Sequence, residues 1–274
     1  MLYRLREYHR PTDLEEALRL LQRTDIRTVP LAGGTELIGR GGAEIEAVVD
    51  LGALGLDFIE REGNALRLGA MVRLQAIVER LEEVADGLLA EAARRMAGWN
   101  IRNMATLGGS LVGSGLHTPL SVALAALGAR LAITGQDELL PWPVGEIPRG
   151  QLITAVVIDL PEGAVGTGYE QVGRTPADHP IVCAAAVASR SIQGEVHTRT
   201  AVGGLLVRSL SIVDQAIGGD VPAAVEAVAA QIAPPSLPEM ACLSDYRGSA
   251  EYRRAVAPVV ARRALTTAIE KLAQ

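Results

Sequence analysis

Two short stretches carry residue types suited to holding anionic oxygens. "LAGGTE" (31–36) and "TLGGSL" (106–111) each set a Gly-Gly pair between an apolar residue and a small hydroxyl residue. Without a Cβ in the way, backbone N–H groups can turn together into one concavity, a nest that suits phosphate above all. Two such nests in one chain could grip the two phosphates of a dinucleotide. Each pair taken alone is a weak signal and reads first as a tight turn with no ligand. Neither stretch is GxGxxG or GxxxxGK[ST], so the Rossmann and P-loop readings have no support. The second stretch lies inside "NIRNMATLGGSLVGSG" (100–115), which holds four glycines, two asparagines and three hydroxyl residues. That composition reads as neither a core strand nor a helix.

The remaining reactive residue types exclude more than they suggest. Lys271 is the only lysine, so no lysine in the body of the chain can form a Schiff base or serve a P-loop. Cys183 and Cys242 form no CxxC pair, which argues against a disulfide framework or a cysteine-ligated cluster. His9, His117, His179 and His197 show no metal-ligand spacing and read as surface or cap residues, His117 beside the second glycine stretch included. No catalytic residue and no metal ligand is named from these patterns. The formal net charge of −6 argues against a nucleic-acid partner. The charged N-terminus lacks a signal-peptide core, and no run reaches the ~18 apolar residues of a membrane span, so a cytoplasmic chain is expected. Glycine stands at 29 of 274 residues, above the usual share of about 7%, and aromatic residues at 3%, so the core must be built from Leu, Val, Ile and Ala.

The elements that must position the glycine stretches follow from periodicity. "TDLEEALRLL" predicts a helix capped by Thr12 with Glu15 three residues on, and Leu14, Ala17, Leu18 and Leu21 on its buried face. "TVPLA" (28–32) and "AVVDLGAL" (47–54) read as buried strands, the first running straight into a glycine turn. "NALRLGAMV" (64–72) alternates as a strand does, and 75–97 reads as helical, with Leu88, Leu89, Ala92, Ala93 and Met96 on one face. Thr118 and Pro119 predict the cap and first turn of a helix whose stripe is Leu120, Ala123, Leu124 and Leu127, ended by Gly128. "ARLAIT" and "LITAVVIDLP" are further strands, and "PEGAVGTG" (161–168) marks a boundary or hairpin turn. Beyond it, "VCAAAVAS" and "VHTRTAVGGL" read as antiparallel strands, followed by helices at about 209–217, 222–232 and 249–272.

Taken together, "LAGGTEL" and "IRNMATLGGSL" resemble the two flavin-binding motifs of the FAD-binding medium subunit of molybdenum hydroxylases, the carbon monoxide dehydrogenase / xanthine dehydrogenase family. "YEQVGRTPADHPIVCAAAVA" resembles that family's entry into its second domain, and "SDYRGSAEYRRAVAPVVARRAL" its final helix. The resemblance implies an α+β chain. A two-lobed FAD-binding domain of the PCMH (vanillyl-alcohol oxidase-like) type would cover 1–165, with lobes at about 1–55 and 56–165. A flavoprotein C-terminal domain, an antiparallel sheet plus helices, would cover 166–274.

It also implies a site for non-covalent FAD. Leu31, Ala32, Gly33, Gly34, Thr35, Glu36 and Leu37 would hold the pyrophosphate from one side. Thr106, Leu107, Gly108, Gly109 and Ser110 would approach from the other. Met96 would stand near the adenine or ribose, and Leu152 or Ile153 would pack by the ring. Three positions depart from the family pattern: Ser110 replaces Asn, Pro119 falls where an Asp is usual, and Gln171 replaces a Lys. The implied role is an electron-transfer subunit of a heterotrimer that dimerises. Its [2Fe-2S] and molybdenum cofactors would sit on a small and a large partner subunit, and electrons would leave through FAD to an external acceptor. A flavin-free homologue acting as a scaffold or assembly partner is the alternative, and a stand-alone flavin oxidase a third.

Overall fold

The computed structural model describes residues 2–115, 117–144, 147–175 and 178–274. In chain order the elements are β1 (Glu7–His9), α1 (Leu14–Leu21), β2 (Thr28–Leu31), α2 (Leu37–Arg40), β3 (Ala47–Asp50), β4 (Ile59–Glu62) and β5 (Ala65–Gly69). The helices α3 (Leu74–Arg80), α4 (Leu88–Met96), α5 (Trp99–Arg102), α6 (Leu107–Gly113) and α7 (Pro119–Ala126) follow. After them come β6 (Arg130–Ile133), β7 (Leu140–Pro141), β8 (Ile153–Asp159), β9 (Val165–Val172), β10 (Val182–Arg190), β11 (Val196–Gly203), β12 (Ser211–Ile217), α8 (Val221–Ile232) and α9 (Ala250–Leu272).

Contacts divide the chain into two units. The first comprises residues 1–76, 99–114 and 129–158. It holds a three-stranded parallel sheet, β1-β3-β2, and a five-stranded sheet, β4-β5-β8-β6-β7. The cap of α1 is Asp13, not Thr12: its carboxylate accepts the Glu16 N–H at 2.8 Å, which shifts the expected cap by one residue. Both residue types cap well, and here the carboxylate also favours the helix's positive end. Ala17 and Leu21 of α1 pack with Val49, Leu51 and Leu152 in a small core of this unit.

The second unit comprises 77–98, 115–128 and 159–274. Its sheet is antiparallel, β12-β11-β10-β9, and α9 lies along β9 and β10. The glycines of "GAVGTG" explain that approach. A Cβ on Gly166 would stand 2.1 Å from the Ala268 carbonyl oxygen, and one on Gly168 2.0 Å from that of Ala264. The expected turn therefore ends before Val165, and these glycines belong to a strand pressed against a helix.

Three other expectations change in this unit. The 75–97 stretch is two helices, α3 and α4, broken by Ala85, Asp86 and Gly87 at φ of 49°, 51° and 71°. Local propensity favours a continuous helix; tertiary bonds override it. Asp86 Oδ2 accepts the Thr167 N–H at 2.8 Å, the Thr167 hydroxyl at 3.0 Å and Lys271 Nζ at 3.0 Å. Residues 211–217, expected as helix, form β12, paired with β11 from Val196↔Ile217 to Val202↔Ser211. α7 starts at Pro119 with the Thr118 hydroxyl as cap, and Gly128 follows it at φ 67°. It is buried on every side, not along one stripe.

A buried guanidinium closes the second unit. Arg253, 1% exposed, donates to the carbonyls of Ile181, Gly204 (2.9 Å) and Gly248 (3.1 Å) and to Asp245 Oδ1 at 2.5 Å. Burial alone would raise the Asp245 carboxyl. The Arg247 N–H and the two guanidinium groups outweigh it and hold the group below the usual carboxylate range. Among the described residues, no helix is long and apolar enough to cross a membrane.

Candidate functional site

β2 delivers the chain to the first glycine stretch. Gly33 is fixed by packing, since a Cβ there would fall 1.9 Å from the Met104 carbonyl oxygen. Gly34 turns the chain at φ 73°, in the left-handed region that side chains disfavour. The short α2 then begins. Among the described residues, the N–H groups of Gly33, Gly34, Thr35 and Glu36 have no acceptor. Four consecutive unsatisfied donors at a turn are the physical content of an anion nest. The Glu36 carboxylate is engaged elsewhere, with Arg40 at 3.1 Å and the Ser114 hydroxyl at 3.3 Å.

The second stretch is largely helical, contrary to its reading from composition. Thr106 caps α6 by accepting the Gly109 N–H at 3.2 Å. The Leu107 N–H donates to Val72 O and the Gly108 N–H to Ala70 O, both at 2.8 Å, and the Ser110 N–H to Thr106 O at 2.9 Å. Its bare backbone serves packing. A Cβ on Gly108 would meet Ala70 Cβ at 2.8 Å, one on Gly109 the Thr106 hydroxyl at 2.7 Å, and one on Gly113 Glu36 Cγ at 3.1 Å. The two glycine pairs thus do different work: the first leaves donors free, the second lets a helix close against backbone.

Both stretches line one cavity of about 480 Å³ within the first unit. Ala32, Gly33, Gly34, Thr35, Glu36 and Leu37 form one wall. Thr106, Gly108, Gly109 and Ser110 form another, and Leu152 and Ile153 contribute at the start of β8. Leu31 and Leu107 do not line it: Leu31 sits in the β2 ladder and Leu107, the first residue of α6, is fully buried. Met96 lies in the second unit, at the end of α4.

Several lining residues were not read from the sequence, among them Arg27, Pro30, Met71, Arg149 and Gln151. The one available signal was "PRGQ", a Pro-Gly turn before a buried strand. Among the described residues, Arg149 makes no ion pair and donates only to the Arg23 carbonyl, at 3.2 Å, leaving positive charge at the wall.

This donor set suits a flavin dinucleotide. Besides the four free N–H groups, Ser110 lines the cavity, and its hydroxyl has no partner among the described residues, so it can bond a ligand there. Apolar walls with a few placed donors describe a cofactor pocket. The other two departures from the family pattern belong to the second unit. Pro119 opens α7, and Gln171 Oε1 accepts the Tyr169 hydroxyl at 2.6 Å.

His117 is a structural residue. Its Nδ1 accepts the Gly204 N–H at 3.2 Å and its Nε2 faces the Val207 carbonyl at 3.4 Å. Burial, with Arg253 and Arg247 nearby, pushes its pKa below the ordinary histidine value against the pull of the Val207 bond. Among the described residues, no group of three or more His, Cys, Asp or Glu side chains could hold a metal ion.

Known proteins give the same answer by another route. The family described as "FAD binding domain in molybdopterin dehydrogenase" matches residues 3–157. The carbon monoxide dehydrogenase medium chain of Afipia carboxidovorans is 30% identical over 96% of this chain and 96% of its own length. The nicotine 6-hydroxylase medium subunit of Paenarthrobacter nicotinovorans is 30% identical over 95% and 96%. Reconstituted CO dehydrogenase from Oligotropha carboxidovorans contains a chain that superposes with a TM-score of 0.84 at 27% identity, covering 99% of both chains. The α+β fold, the donor-lined cavity and these likenesses agree: the chain is an oxidoreductase component and belongs to the FAD-binding medium-subunit family of molybdenum hydroxylases.

Proposed function

We propose that this chain is the electron-transfer subunit of a multisubunit molybdenum hydroxylase, standing between a [2Fe-2S] subunit and an external electron acceptor. The observation that carries the reading is the presence of four free backbone N–H groups and one unpartnered hydroxyl on the wall of a single cavity. Gly33, Gly34, Thr35 and Glu36 hold the pyrophosphate through their N–H groups. Ser110 adds a hydroxyl contact, and Leu152 and Ile153 supply apolar wall. FAD supplies the redox chemistry, and the protein's part is to bind, orient and tune it. We assign no side chain of this chain a role as acid or base.

The relatives' names support placing substrate chemistry on another chain. Carbon monoxide and nicotine are unrelated substrates, yet their medium chains are equally similar to this one. The cofactor domain is assigned to 1–165 and the C-terminal domain to 166–274, supported by two sheets that end by Asp159 and a third that begins at Val165, although residues 77–98 and 115–128 pack with the C-terminal unit. Cys183 and Cys242 are both free and buried, which suits the reducing cytoplasm.

The test is direct. The purified chain is titrated with FAD while absorbance and flavin fluorescence are followed, then co-expressed with the small and large subunits and analysed for flavin, iron and molybdenum. One non-covalent FAD per chain, with iron and molybdenum co-eluting, is expected. A colourless chain that binds no FAD but still assembles would replace this reading with the scaffold.

A further inference from the structure

We infer that Arg149 is the charge that selects a dinucleotide in this cavity, its guanidinium taking the pyrophosphate alongside the free N–H groups of the first glycine stretch. The inference rests on the FAD reading above. The chain carries a formal net charge of −6. Among the described residues, however, the charged side chains lining the cavity are Arg27, Arg40, Arg149 and a single carboxylate, Glu36. Cations gathered at one hollow of an acidic protein favour an anion there. Two of the three are already matched: Arg40 Nε lies 3.1 Å from Glu36, and Arg27 Nε 3.6 Å from Glu44. Arg149 has no carboxylate partner among the described residues and gives one hydrogen bond, to the Arg23 carbonyl at 3.2 Å. The Arg23 side chain is itself taken up by Glu7 and Asp25.

Local structure fixes where this cation stands. Residues 148–151 form a tight turn, closed by the Gln151 N–H to the Pro148 carbonyl at 3.1 Å. Gly150 has φ 81°, the left-handed angle that the third position of a type II turn requires, and Arg149 occupies the second position. The chain leaving the turn is anchored at once. The Leu152 N–H donates to the Thr134 hydroxyl, and the Thr134 N–H to the Leu152 carbonyl, both at 2.9 Å. An exposed side chain on so firmly held a backbone can exchange its one bond to a neutral carbonyl for a charge-assisted bond to phosphate. The backbone donors and the Ser110 hydroxyl bind through dipoles, whereas Arg149 adds a full unit charge. A full charge favours a diphosphate over a neutral flavin, so this residue bears on which form of flavin the cavity holds.

The full chain, freed of flavin, is titrated with FAD at low and at high salt, and ADP is titrated as a competitor. Arg149→Gln and Arg149→Lys are compared with wild type and with Arg262→Gln, which removes an exposed cation of the second unit. Arg149→Gln is expected to weaken FAD and ADP by the same factor, roughly five- to tenfold at low salt, and by less at high salt, where the charge is screened. Arg149→Lys should recover part of the loss, Arg262→Gln should match wild type, and the FAD-free thermal midpoint should stay unchanged in all three. Wild-type affinity in Arg149→Gln overturns the inference. So does a loss of the same size at both salt concentrations, or a fall in the FAD-free midpoint that Arg149→Lys shares, since either makes the residue a packing element. A loss for FAD with ADP unaffected would move Arg149 to the flavin ring and overturn it as well. If wild type binds neither FAD nor ADP, the FAD reading fails first, and the inference with it.

Discussion

Replacing Gly108 by alanine tests whether the second glycine pair exists for packing or for the cofactor. A Cβ at this position stands 2.8 Å from Ala70 Cβ and 3.1 Å from the Ala70 carbonyl oxygen. Ordinary carbon contacts lie near 3.5–4.0 Å, so α6 or the 70–72 segment must move. Such overpacking costs about 1–3 kcal/mol. The movement also stretches the 2.8 Å bond from the Gly108 N–H to Ala70 O, worth about 1 kcal/mol net. Alanine regains roughly 1 kcal/mol of helix propensity, which offsets the lost bond but not the clash. The net expectation is a destabilisation of about 1–3 kcal/mol in the FAD-free chain. For a protein of this size that lowers the midpoint by roughly 2–4 °C per kcal/mol. Ser110→Ala is the counterpart: it should leave the FAD-free midpoint within about 1 °C and weaken FAD by about five- to tenfold, the value of one hydrogen bond. Differential scanning fluorimetry of flavin-free protein and fluorescence titration with FAD separate the two. An unchanged FAD-free midpoint in Gly108→Ala, with FAD binding lost, would refute the packing argument and return Gly108 to the cofactor.

Three further outcomes follow from the second unit. Arg253→Met removes a buried cation and strands the Ile181 and Gly204 carbonyls, while Asp245 keeps Arg247; urea unfolding should show a loss of about 3–5 kcal/mol. Ala85→Gly relieves a left-handed L-residue, worth about 1–2 kcal/mol, against about 0.5–1 kcal/mol of added chain entropy, so a small gain in stability is expected and a loss would argue against strain there. Because burial lowers the folded-state pKa of His117, its contribution is fully present above the unfolded value near 6.5 and is lost as pH falls through it. Wild type should therefore lose more stability between pH 7 and 5 than His117→Asn, and parallel pH curves would contradict this.

The limits of the sequence are visible in the glycines. Gly-Gly before a hydroxyl residue marks a place where backbone must come close to something, but not what that something is. At Gly33 it is the Met104 carbonyl, at Gly108 it is Ala70, and at Gly166 and Gly168 it is α9. Each partner is distant in the chain, so composition alone misread 106–113 as irregular and 161–168 as a turn. The 75–97 helix failed for a related reason: "RLEEVAD" can continue a helix up to Gly87, and Thr167 and Lys271, far downstream, hold Asp86 in a left-handed turn. Capping was more legible, because its partners lie within four residues. Thr118 with Pro119 marked the start of α7 correctly, and the α1 cap missed by one position.

The same distinction bears on how the cofactor is held. The departures at Ser110, Pro119 and Gln171 remove side-chain groups, and the last two now serve their own unit: Pro119 starts a helix and Gln171 takes the Tyr169 hydroxyl. The free donors at Gly33, Gly34, Thr35 and Glu36 are backbone N–H groups, which no substitution except proline can delete. Their geometry is set by Gly33 against Met104 and by the turn at Gly34. On the proposed site, affinity for the pyrophosphate depends on two glycines and on the packing that fixes them, and side-chain drift around the cavity adjusts it by about 0.5–1.5 kcal/mol per neutral bond. A chain built this way can lose several family side chains and still bind FAD.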